Sequence, residues 1–149
     1  MNSVNFCDPS RVLTLSVDAY VRGVPEGRIY QGEGADCVPF YGLTQFLMEA
    51  DRLLNDACGA TAAQEPRSFV PEQLKKKYQA PITTADRQGK LDTFRISVRF
   101  RQNSSWQGTV YWGKTKEERF FRSVLELIYL MNGALEAAVS AGNGSNSAD

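Results

Sequence analysis

The 149-residue chain sets 17 Lys and Arg against 17 Asp and Glu, for a net charge of zero, and 42% of it is hydrophobic. A chain of this length buries roughly two-thirds of its unfolded surface, and this apolar content excludes intrinsic disorder. It has no histidine at all, which excludes Ser-His-Asp and Cys-His catalysis, the usual zinc and iron sites and the commonest general base near pH 7.

The opening residues, MNSVNFCDPSR, lack a basic segment followed by an apolar run, so no signal peptide is expected. No stretch approaches the ~18 unbroken apolar residues of a membrane span. The expectation is a cytoplasmic protein without a membrane partner. The first element alternates: Leu13, Leu15, Val17 and Ala19 on one face, Thr14, Ser16, Asp18 and Tyr20 on the other. A period of two predicts a half-buried strand. The turn VRGVPEG follows, then a second strand around Arg28–Gln31, a break at Gly32 and a short strand at Cys37–Phe40. Leu43, Phe46, Leu47, Ala50, Leu54 and Ala57 then repeat at helical spacing, with Gly42 and Gln45 at its start and Gly59 near its end.

Residues 59–93 read as a connector rich in Pro, Gln, Thr and charge, with one helical turn predicted after Pro71 and a basic run at Lys75, Lys76 and Lys77. Alternation returns with Phe94, Ile96, Val98 and Phe100 against Arg95, Ser97, Arg99 and Arg101. The turn QNSS, a strand at Thr109–Trp112 and a short strand at Glu118–Phe121 follow. Val124, Leu127, Ile128, Met131, Leu135 and Ala138 then form a helical stripe, opened by the capping-box pair Ser123 and Glu126. A stop is expected near Gly142, with a frayed tail over 140–149.

The second series repeats the first. At an offset of 81 and without gaps, Leu13–Cys58 and Phe94–Val139 share eight identities in 46 pairs, among them Gly27/Gly108, Tyr30/Tyr111, Gly32/Gly113 and Phe40/Phe121. Chance gives about three. The fold expected is therefore α+β: a tandem duplication of a β-β-(β)-α unit forming one antiparallel sheet with two helices packed on one face. Two separately packed sheets are the alternative.

Such a sheet exposes its other face. Tyr20, Arg28, Tyr30, Arg95, Arg99, Arg101 and Tyr111 fall on it by parity, and Tyr and Arg are the residue types enriched at interface hot spots. The opposed reading is an ordinary solvated face with cross-strand Tyr/Arg pairs. Trp106 and Trp112 share parity with the core side. Charge divides unevenly. The first repeat has three bases against seven acids, a net of −4, and the second has seven against four, a net of +3. Two readings follow: the halves attract one another, within the chain or head-to-tail in a dimer, or the basic repeat with Lys75, Lys76 and Lys77 faces a polyanion.

Chemistry finds little support. The chain has no phosphate-cradling glycine motif, no nucleophile elbow and no S-x-x-K. Cys7, Cys37 and Cys58 stand far apart, which argues against a disulfide framework or a zinc ribbon. Asp18, Glu26, Glu33 and Asp36 are acidic neighbours with no spacing that singles out a catalytic pair. No enzyme, metal or cofactor is expected.

The runs FRQNSSWQGTVYW and FRSVLELIYLMNGAL resemble a family of short uncharacterised proteins of gut Firmicutes, which show F-R-Q-N-x-[ST]-W-Q-G and F-R-S-x-L-E-L-I patterns. The match is most specific over Phe94–Leu135 and looser over Val17–Leu54. The resemblance implies a bacterial cytoplasmic protein of possible mobile-element origin, and it carries over no catalytic residue. The function expected is a non-enzymatic binding protein that acts through protein–protein contact, with a partner or as a homodimer. The alternative is a nucleic-acid-associated protein that uses the basic second repeat, with a mobile-element accessory or inhibitor role as its setting.

Overall fold

The structure, a computed structural model, describes residues 11–32, 34, 36–58, 68–71, 82–84, 87–101 and 105–147. The strands are β1 (Val12–Val21), β2 (Val24–Gln31), β3 (Asp36–Tyr41), β4 (Thr83–Thr84), β5 (Asp92–Phe100), β6 (Gln107–Trp112) and β7 (Glu117–Phe121). Helix α1 (Leu43–Cys58) follows β3, and α2 (Val124–Ser147) follows β7. All strands join one antiparallel sheet in the order β4-β3-β2-β1-β5-β6-β7. The protein is therefore α+β, with six longer strands, a two-residue edge strand and two helices.

The middle of the sheet is the β1–β5 pair. Thr14 lies opposite Arg95, with Leu13 facing Ile96 and Leu15 facing Phe94. These apolar residues share a face, and on it Phe46, Ala50 and Leu54 of α1 meet Leu127, Met131 and Leu135 of α2 in one continuous core. Full burial of each large side chain contributes about 1.5–3 kcal/mol. The window Val124–Ala141 of α2 is long and apolar enough to cross a membrane by composition. Its inner stripe is nonetheless part of this core, as an amphipathic core helix requires.

The local signals act as expected at most boundaries. The first turn is tighter than the predicted seven-residue stretch: Arg22 (φ 54°) and Gly23 (φ 77°) alone connect β1 to β2. Two consecutive left-handed residues make the hairpin turn whose twist matches its strands. At Gly27 and Gly108 an added Cβ would lie 1.8 Å from the Ser16 and Ser97 carbonyl oxygens, so only glycine allows the strands to approach there. Ser123 Oγ accepts from the Glu126 N–H (3.2 Å), while Glu126 Oε1 accepts from the Arg122 N–H (2.9 Å), one residue ahead of the expected capping-box partner. Gln45 Oε1 does the same for the Tyr41 N–H (2.7 Å).

Two expectations require correction. Helix α2 continues through Gly142 to Ser147, because extending a formed helix costs only residue propensity and no new nucleus. The connector supplies a strand that no pattern signalled: Thr83 and Thr84 pair with Cys37 and Asp36. The helical turn expected after Pro71 lies outside the described residues.

Candidate interaction surface

Whether the outer sheet face is open differs between its two halves. Over the first half, residues 87–91 lie across the strands. Arg87 O accepts from Ser16 Oγ, Lys90 N donates to Asp18 Oδ1 (3.0 Å) and Leu91 N donates to Val17 O (2.9 Å). The Arg87 guanidinium stacks 5.2 Å from the centre of the Tyr30 ring and donates to the Gly32 carbonyl (2.7 Å). From the other side Arg28 donates to the Tyr30 hydroxyl (2.8 Å) and pairs with Asp18 (3.0 Å). Burial lowers the Arg28 pKa, but the hydrogen bond and charge of Asp18 outweigh it and hold it above its ordinary value. Ser16 and Tyr30 are left fully buried. Arg28 and Tyr30, expected on an open contact face, instead fasten the chain's own connector.

Tyr20 and Arg101 are not on the outer face at all. The β1–β2 register shifts between Val17 and Ala19, and the β5–β6 register shifts between Val98 and Phe100. An extra residue in a strand resets its alternation, so the side chains beyond each bulge turn to the helices. Tyr20 crosses to α2, where its hydroxyl hydrogen-bonds Asn132 and Glu136 (3.0 Å to Oε1). Burial first, and then the Glu136 carboxylate, raise the tyrosine pKa. Arg101 crosses to α1, with an ion pair to Asp51 (2.8 Å) and a hydrogen bond to Asn55. Tyr20 and Arg101 are 81 residues apart, as are their partners Asp51/Asn132 and Asn55/Glu136. β1 thus clasps α2, and the residue that follows β5 clasps α1.

The second half of the outer face differs. Arg95 and Arg99 are exposed and Tyr111 is half-buried. Tyr111 lies opposite Arg95 on one side and Glu118 on the other, and Phe120 opposes Thr109. Phe120 is 55% exposed, and parity reasoning did not single it out. The signal was present in Glu-Arg-Phe-Phe: neighbouring strand residues point to opposite faces, so only one of two adjacent phenylalanines reaches the core. Of the expected contact residues, Arg95 and Tyr111 pair across β5 and β6, Arg99 stands at the β5 register shift, and Phe120 joins them from the edge strand. Lys75, Lys76 and Lys77 lie outside the described residues.

On the core side, Trp106 is buried, while Trp112 stands at the end of the sheet with its indole N–H donating to Asp92 Oδ2 (2.6 Å). Burial raises the Asp92 pKa, and the Trp112 and Thr93 N–H groups and the Lys114 charge oppose that rise. No family model, curated protein or solved structure matches the chain.

Proposed function

We propose that this protein is a cytoplasmic, non-enzymatic binding protein whose contact surface is the outer sheet face of the second unit. The observation that carries the reading is the asymmetry of that face. Residues 87–91 lie over buried Ser16 and Tyr30 in the first half, whereas in the second Arg95, Arg99 and Phe120 are exposed and Tyr111 is half-buried. A half-exposed phenylalanine on the edge strand, with a tyrosine on the next strand and arginines on the one beyond, has the residue types of an interface core with a charged rim. The partner is a protein, either another chain or a second copy. A photoreactive phenylalanine analogue at position 111 or 120, in cells that make the protein, is expected to yield one discrete protein adduct. The same analogue at Met48, exposed on α1, is the control. Equal or absent labelling at all three positions ends the reading.

A second reading has its own observation: exposed Arg95 opposite Tyr111, with exposed Arg99 on the same strand and Phe120 on the edge strand, combines cations with stacking surfaces, as single-stranded nucleic-acid platforms do. It is narrower than the sequence promised, since Arg28 and Arg101 are held by Asp18 and Asp51. It requires oligonucleotide binding that weakens steeply with salt and disappears in Arg99→Glu. No binding at low salt removes it.

We also infer that the two units arose by duplication of one β-β-β-α unit, with kinship to the short Firmicutes proteins as its setting. Support comes from features that recur at an offset of 81: the bulges, the close glycines, the cap contacts of Gln45 and Glu126, and the reciprocal clasps. An experimental structure in which residues 13–58 and 94–139 do not superpose would remove this inference.

A further inference from the structure

The two halves of the sheet also differ where helix meets outer strand. In the first unit the gap is filled. Val38 of β3 is 3% exposed, Leu53 of α1 packs against the core, and Gln31 donates to the Leu53 carbonyl (3.0 Å). In the second unit the residues at the same offset are Arg119, Ala134 and Trp112, and Gly133 and Ala137 replace Arg52 and Asp56. Removing those side chains leaves a cavity of about 290 Å³ between α2 and the β6–β7 edge. Its walls are mainly apolar: Phe94, Val110, Trp112, Tyr129 and the small residues of α2. The Trp112 N–H is already bonded to Asp92, so the indole is held in place with its polar atom satisfied. The mouth carries one charge of each sign, Glu117 and Arg119, paired at 2.6 Å and both about half exposed.

We propose that this cavity binds a small zwitterion with one flat aromatic ring system, the chemical class of the aromatic amino acids. The volume lies just below the usual range of ligand pockets, which limits the occupant to a single ring system. The ring lies against Trp112 and Phe94, in the offset or edge-on arrangements that aromatic pairs favour. The ligand's carboxylate takes the Arg119 guanidinium and its ammonium takes the Glu117 carboxylate. An exposed ion pair contributes little by itself, so exchanging it for two ligand contacts costs little. The net-neutral mouth gives no preference to a simple anion or a simple cation.

The test follows the Trp112 indole N–H resonance of the full chain during titration with L-tryptophan and, separately, with indole. L-Tryptophan is expected to shift the resonance and to bind about fivefold tighter than indole. Arg119→Ala is expected to bring the two affinities together. Gly133→Leu refills the cavity from a position where an added Cβ meets nothing within 4 Å. It is expected to keep the remaining amide spectrum and abolish the shift. The proposal is overturned if about 10 mM L-tryptophan leaves the resonance unmoved. It is equally overturned if indole binds as tightly as L-tryptophan to the unaltered protein, or if Gly133→Leu shifts as the unaltered protein does.

Discussion

Asp92 combines a need for burial with a need for charge. It is 5% exposed, and it accepts from the Trp112 indole and the Thr93 N–H. With burial raising its pKa, the folded state holds a proton at pH values where the unfolded chain has released it. Stability therefore falls as pH rises through the window just above the ordinary carboxylate range. Asp92→Asn keeps an acceptor for Trp112 and removes the titration. It is expected to flatten that slope in urea unfolding measured from pH 4 to 7, whereas Asp92→Ala strands the indole N–H at a cost of about 1–3 kcal/mol. Tyr20 acts at the other end of the scale. Its raised pKa means the clasp to α2 is fully present below the ordinary tyrosine range and is lost as pH climbs through the folded value. Tyr20→Phe is expected to remove this alkaline loss, read by the same unfolding measurement above pH ~10.

Among the elements, the strands depend on glycine where two backbones nearly touch. Gly27→Ala and Gly108→Ala place a methyl group 1.8 Å from a carbonyl oxygen of the neighbouring strand. Each is expected to cost about 2–4 kcal/mol, seen as a lower urea midpoint. The helices depend on their first turns. Ser123→Ala removes the acceptor for the Glu126 N–H and is expected to cost about 0.5–2 kcal/mol. The edge strands are protected differently: β4 covers part of β3, while β7 carries Glu117, Glu118 and Arg119. Charge along an edge discourages pairing with another sheet.

At the scale of the whole molecule, two clasps tie the sheet to its helices, Tyr20 to α2 and Arg101 to α1. They share no partner, so the losses from Tyr20→Phe and Arg101→Met are expected to add within about 0.5 kcal/mol. A larger coupling in the double-mutant cycle would mean that the two ends communicate through the core. Much of this architecture was legible in local pattern. The alternation at Leu13–Val17 and Phe94–Val98, the helical stripes and the caps depend on residues a few positions apart, and chain geometry alone relates them. The outer face was less legible. A single extra residue at each bulge sent Tyr20 and Arg101 to the opposite side, and residues 87–91 closed over Tyr30 from about 60 positions away in the chain. Composition and periodicity by themselves determined an α+β chain of alternating strands and two amphipathic helices, because period and capping are short-range properties. Only the tertiary structure decided which tyrosines and arginines face solvent, because strand register and loop placement are set by long-range hydrogen bonds that leave no local trace.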